Sequence, residues 1–158
     1  MRIVIIGHSC SGKSTLARSI SAVTDIPWYD LDAYYWTYGW QARDRETFRD
    51  DIDRITSAQS WVIAGNYVMT ISDLLWPKAT ILIYLEVPIY RLLWNYVSRT
   101  SSRVYYNIPA AGGNNETLLR QFSSRSLGLH IMRTYRQKRD AYRYYMYNPP
   151  YRHLRTVY

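Results

Sequence analysis

A lysine and a hydroxyl set directly behind a pair of glycines are the residues here whose types and spacing do the most chemistry. Gly7, Gly12, Lys13 and Ser14 fit the P-loop pattern G-x-x-x-x-G-K-[ST] within Gly7-His8-Ser9-Cys10-Ser11-Gly12-Lys13-Ser14-Thr15. In such a loop the backbone N–H groups of Ser9, Cys10, Ser11, Gly12, Lys13, Ser14 and Thr15 wrap a phosphate, and the glycines permit the tight backbone path. Lys13 then reaches the β- and γ-phosphates of ATP, and the Ser14 hydroxyl ligates Mg²⁺.

Such a loop needs a strand before it and a helix after it, and the flanking sequence supplies both. Ile3 to Ile6 is an aliphatic strand, and Lys13 to about Val23 is a helix. A second strand runs from Ile26 to Tyr29 and ends at Asp30-Leu31-Asp32. Arg43 to Ala58 reads as a charged helix with Phe48, Ile52 and Ile55 as its buried stripe. Trp61 to Ala64 and Thr80 to Leu85 are further strands, and Pro88 opens a helix to about Arg99. Residues 100 to 115 carry Pro109 and Ala110-Ala111-Gly112-Gly113-Asn114-Asn115, with little to pack, and read as a mobile loop or lid. Glu116 to Met146 is expected to be mostly helical, interrupted near Gly128, with a last strand within His153 to Val157. Strands alternating with helices predict an α/β domain on a parallel sheet.

The 158 residues, 47% hydrophobic, suit one domain spanning 1–158. No apolar run reaches the ~18 residues of a membrane span. The single cysteine, Cys10, cannot form an internal disulfide, which suits a reducing cytoplasm; it is read as a small loop residue, with a redox-sensing thiol as the other possibility. Charge is uneven. Residues 1–75 hold seven basic and nine acidic side chains, a balance of −2, whereas residues 76–158 hold thirteen and three, a balance of +10. A basic half favours polyanionic ligands, either nucleotide phosphates or nucleic acid.

These motifs together resemble the adenylate-kinase-like P-loop kinases, in particular the small family of DNA topology modulation proteins. The resemblance rests on the P-loop, on Ile26-Pro27 to Leu31-Asp32 with Trp36, on Trp61-Val62-Ile63-Ala64-Gly65-Asn66-Tyr67, and on Leu85-Glu86-Val87-Pro88. It implies a three-layer fold with a five-stranded parallel sheet of order 2-3-1-4-5. An acceptor-binding subdomain at about 30–60 and a lid at about 99–116 are implied with it. Asp-x-Asp at Asp30 and Asp32 is similar to shikimate-kinase-like enzymes, in which one aspartate serves magnesium and the other the acceptor. The resemblance favours Asp32 for metal and catalysis, while helix or turn capping is the plain alternative for both. Ala64 stands where related kinases carry an acidic residue, and Asn95 where they carry a base-stacking arginine. Arg99 keeps the place of a phosphate-clamping arginine, and Arg103 lies in the same segment.

The reading that follows is an ATP- and Mg²⁺-dependent phosphotransferase of the nucleoside/nucleotide or small-molecule kinase type. Lys13, Asp32, Arg99 and Arg103 are its catalytic candidates, and Asp30, Asp32, Trp36, Asn66 and Tyr67 line the acceptor site. An acceptor hydroxyl would need Asp32 as base, whereas an acceptor phosphate would need none. Tyr34, Tyr35, Trp36, Tyr38 and Trp40 would either stack on a ligand or pack the subdomain. The alternatives are a nucleotide-binding regulator or a polynucleotide-end kinase, holding nucleic acid by Arg133, Arg136, Arg139 and Arg143 with interleaved tyrosines. His8, His130 and His153 lack metal-ligand spacing and are read as non-catalytic.

Overall fold

The computed structural model describes residues 1–115, 126–149 and 151–158. Its elements run β1 (Arg2–Gly7), α1 (Lys13–Thr24), β2 (Trp28–Asp30), α2 (Leu31–Tyr35), β3 (Trp36–Thr37), β4 (Gln41–Ala42), α3 (Arg45–Thr56), β5 (Trp61–Ala64), α4 (Val68–Leu75), β6 (Ile81–Leu85), α5 (Ile89–Tyr105), α6 (Leu127–Tyr147) and β7 (Arg155–Val157). Five strands form a parallel sheet in the order β2-β5-β1-β6-β7. With the small β3–β4 hairpin set aside, that is the expected 2-3-1-4-5 order.

Alternation along β1 divides the core in two. Ile3 and Ile5 face α1 together with Ala17, Val62 and Ala64. Val4 and Ile6 face the opposite side, where Phe48 and Ile52 of α3, Ile71 and Leu75 of α4, and Tyr142 and Met146 of α6 bury them. Both faces of the central strands are covered, which is why they read as nearly unbroken apolar runs. Helix α3 starts where Asp44 accepts hydrogen bonds from the N–H groups of Glu46 and Thr47.

Two features depart from the sequence reading. Helix α5 continues past Arg99 to Tyr105, so Arg103 lies on the helix instead of in a loop, one turn from Arg99 on the same face. The segment after it is partly docked: Asn114 is buried. A helix boundary lies near Gly128 as expected: Ser126 is extended and caps α6, which starts at Leu127, and a Cβ on Gly128 would come within 2.9 Å of the Tyr96 ring. In the first turn of α6 the glycine also serves close helix packing. The first part of the expected helix, residues 116–125, and the lid boundary at Glu116 lie outside the described residues.

Gly65 has a comparable role nearer the site. A Cβ there would stand 2.6 Å from Leu31 Cβ, and Leu31, fully buried, opens the helix that carries Asp32. Gly65→Ala is therefore expected to cost about 1–3 kcal/mol through overpacking, read as a lower urea midpoint at an unchanged slope.

Candidate active site

The P-loop joins β1 to α1 through residues that tolerate unusual backbone angles. Gly7 has φ +152°, Cys10 +65° and Gly12 +93°. A side chain at Gly7 would collide with the Leu85 carbonyl and the Ser11 hydroxyl, each 2.8 Å from its Cβ. Gly12 caps α1 without a side-chain bond, and the Leu16 N–H is the one that returns to the Gly12 carbonyl, at 2.9 Å. The N–H groups of Lys13, Ser14 and Thr15 thus belong to the turn whose donors have no intrahelical partner, the feature that binds phosphate. Asn95 of α5 fastens the loop by donating to the Cys10 carbonyl at 3.0 Å. Beneath it, buried His8 donates from Nε2 to the Tyr135 carbonyl at 3.0 Å and stacks on the Tyr135 ring. His8 is a structural tie between loop and α6.

Lys13 curls back so that Nζ donates to the His8 carbonyl at 2.7 Å. The surrounding protein strips water from the ammonium and lowers its pKa to about 8, despite Asp32 and Asp30 nearby. Parallel pairing sets Asp30 at the carboxyl end of β2, opposite Ala64 of β5. The Ser14 hydroxyl donates to Asp30 Oδ2 at 2.6 Å, and Asp30 Oδ1 accepts the Asp32 N–H at 3.1 Å. Asp30 thus caps α2 and meets Ser14 at once, so capping and site geometry are not alternatives. Asp32 faces the open cleft, where the Tyr67 hydroxyl bonds its carboxylate. Desolvation and then the Asp30 charge push the Asp32 carboxyl upward, against the pull of Tyr67, Lys13 and Arg99. The Tyr67 hydroxyl is itself driven up, by desolvation and then by Asp32.

The oxygen donors Ser14 and Asp30, with Asp32 beside them, are the hard ligands that Mg²⁺ prefers. No cluster of three acidic, histidine or cysteine side chains occurs among the described residues. Such an ion would therefore depend on phosphate oxygens and water for its remaining ligands.

One cleft of about 1410 Å³ collects these groups. Of the expected site residues, Ser9, Cys10, Gly12, Lys13, Ser14, Thr15, Asp30, Asp32, Trp36, Asn66, Tyr67, Arg99 and Arg103 line it, while Gly7 and Ser11 shape the loop from beneath. Asn66 makes two long contacts, donating to Ser9 Oγ at 3.5 Å and accepting from the Tyr142 hydroxyl at 3.4 Å.

Lys138, like Arg18, is one of the lining residues that sequence reasoning missed. It projects from α6 with His130 and Thr134 on the same face, and Nζ donates to His130 Nε2 at 3.2 Å. Burial lowers the Lys138 pKa while the Asp32 charge raises it. The i, i+4, i+8 spacing of His130, Thr134 and Lys138 was the available signal, hidden behind the more numerous arginines.

Those arginines do not form one free basic face. Arg143 pairs with Glu86 through two hydrogen bonds, and Tyr158 donates to the same carboxylate at 3.0 Å. Arg139 pairs with Asp140 and lies over the Tyr135 ring, and Arg133 lines the cleft. No helix among the described residues is long and apolar enough to cross a membrane.

No family model matches this chain, and no curated protein does either. Solved structures show its fold. A shikimate kinase from Bacteroides thetaiotaomicron superposes with a TM-score of 0.59 at 17% identity, over 90% of this chain and 82% of that one. The shikimate kinase from Acinetobacter baumannii in complex with shikimate gives 0.52 at 17% identity, over 87% and 93%. Against the shikimate kinase from Aquifex aeolicus the match spans 64% of that chain, at 22% identity and a TM-score of 0.45.

Proposed function

We propose that the protein is a P-loop kinase that transfers the γ-phosphoryl group of ATP to a hydroxyl of a small-molecule acceptor. The observation that carries this reading is the line Ser14–Asp30–Asp32 beside Lys13. It sets a phosphate-binding loop, a hard-cation ligand pair and a raised-pKa carboxylate along one wall of a single cleft. The P-loop kinase fold of the superposed structures agrees with it.

In this reading the loop amides and Lys13 hold the triphosphate, and Ser14 with Asp30 would hold Mg²⁺, which supplies charge neutralisation on the phosphates when bound. Asp32, held by Tyr67 and facing open cleft, takes the proton of the acceptor hydroxyl. Arg99 and Arg103, one turn apart on α5, and Lys138 on α6 face the charge spread over the moving phosphoryl group. The acceptor subdomain is assigned to about 30–60 and the lid to about 99–116. The engaged state of Arg139 and Arg143 gives no observation in favour of a nucleic-acid track.

The test is incubation with γ-labelled ATP and a panel of hydroxyl acceptors, with Lys13→Ala as control. Label carried by an organic product supports the kinase; label only in free phosphate would sink it in favour of a nucleotide-hydrolysing switch.

Proton linkage gives a check that needs no acceptor. Phosphate binding favours charged Lys13, whose pKa in the free protein is about 8. Below that value lysine is charged in both states and affinity is flat; above it binding takes up a proton, and ATP affinity falls by up to ~10-fold per pH unit. Calorimetry at about pH 9 in buffers of different ionisation enthalpy is expected to show that uptake, and Lys13→Ala is expected to abolish it.

A further inference from the structure

We propose that the acceptor is a nucleoside, its base stacked against Trp36 and Trp40 and its primary hydroxyl directed at Asp32. The inference rests on the kinase reading of the cleft and narrows it. Its first support is the division of charge between the walls. Segment 30–67 contributes only Asp30, Asp32, Ala33, Asn66 and the rings of Tyr35, Trp36, Trp40 and Tyr67 to the lining. It has four arginines, and none lines the cleft. Arg43 is taken up by Asp51, Arg54 lies 3.6 Å from the same carboxylate, and Arg49 forks onto Asp73. Among the described residues every cation of the cleft comes from α1, α5 or α6. The acceptor wall, bringing no cation of its own into the lining, is therefore suited to a neutral, flat molecule.

The second support is that the rings are held in place before any ligand arrives. Tyr35 stacks on Tyr67 with centroids 4.2 Å apart and meets Trp36 edge-on at 5.0 Å; Trp36 meets Trp40 at 5.9 Å. Trp40 sits at φ +58°, a conformation that a bulky residue does not adopt unaided. Asn114 holds it there. Its buried carboxamide accepts the Trp40 N–H at 2.9 Å and donates to the Thr37 and Ala111 carbonyls at 2.9 and 2.7 Å. Gly112, at φ +67°, lets this segment close on the hairpin, since a Cβ would stand 2.4 Å from the Trp36 carbonyl. Asn114 is thus a positioning residue for the indole wall, joined to it across more than seventy residues of chain. A rigid aromatic wall binds any planar base through its π-face, and the lightly held Asn66 amide offers a polar handle beside it.

In the transfer step the nucleoside hydroxyl oxygen forms a bond to the γ-phosphorus of the nucleoside triphosphate. The bond to the β–γ bridging oxygen breaks, the nucleoside diphosphate leaves, and the hydroxyl proton passes to Asp32.

Binding and turnover separate this inference from the kinase reading. Adenosine, guanosine, uridine and thymidine are titrated against intrinsic tryptophan fluorescence, in wild-type and Lys13→Ala protein. At least one is expected to bind both equally well. Trp40→Leu and Asn114→Ala are expected to weaken it about tenfold or more, and Trp40→Phe to restore most of the loss while leaving ATP affinity unchanged. With label, the same variants are expected to raise the acceptor KM more than they lower kcat. Absence of binding by all four nucleosides overturns the proposal, even if other compounds accept label. So does tighter binding of a nucleoside monophosphate or a sugar acid, or indifference to Trp40→Leu. Nucleoside binding without any labelled product would instead break the kinase reading and keep the site.

Discussion

Lys13→Ala is expected to lower ATP-dependent transfer by about 10²–10³-fold, the scale on which single preorganised electrostatic donors act. The side chain has a short route to the phosphates: Nζ rests on the His8 carbonyl at 2.7 Å, inside the loop that would hold them. Leaving that carbonyl for a phosphate exchanges a neutral acceptor for an anionic one, a stronger, charge-assisted bond. Because this gain grows as negative charge moves onto the leaving β-phosphate, kcat is expected to fall more than ATP affinity. A thermal shift comparison checks that the variant folds. Turnover by Lys13→Ala within threefold of wild type would remove Lys13 from the mechanism.

The parts legible in the sequence were those fixed by local pattern. The strands β1, β5 and β6 are continuous apolar runs because helices cover both their faces. The P-loop carries its own spacing, so its place between β1 and α1 followed directly. What stayed hidden depends on contacts distant in the chain. Residues 110–115 are small and polar and look unpacked, yet Asn114 is buried, because its amide replaces the hydrogen bonds that the β3–β4 turn cannot make for itself. Helix α5 outran its expected end because serine and threonine tolerate a helix whose buried face, through Leu92 and Thr100, is paid for by packing. The division of labour between Asp30 and Asp32 was equally unreadable. Their spacing is the same whichever one meets Ser14, and only the register of β2 on β5 aims Asp30 at it.

That division predicts the second large effect. Asp32→Asn is expected to lower kcat for a hydroxyl acceptor by about 10²–10³-fold, the range of a positioned general base, while ATP affinity changes little because Ser14 and Asp30 are intact. The pH profile distinguishes a base from a merely structural residue. In the free protein the Asp32 carboxyl is shifted upward, so wild-type kcat/KM is expected to climb with pH until that group is ionised. It then holds, and falls above about pH 8 as Lys13 loses its proton. Asparagine keeps the shape and can still bond to Tyr67, but it cannot ionise. The acidic limb should therefore vanish from Asp32→Asn while the alkaline limb remains, whereas Lys13→Ala should show the reverse. Asp30→Asn supplies the contrast: losing the carboxylate that meets Ser14 should raise the Mg²⁺ concentration needed for half-maximal rate and leave the acidic limb in place. An acidic limb that survived in Asp32→Asn and disappeared in Asp30→Asn would exchange the roles of the two aspartates.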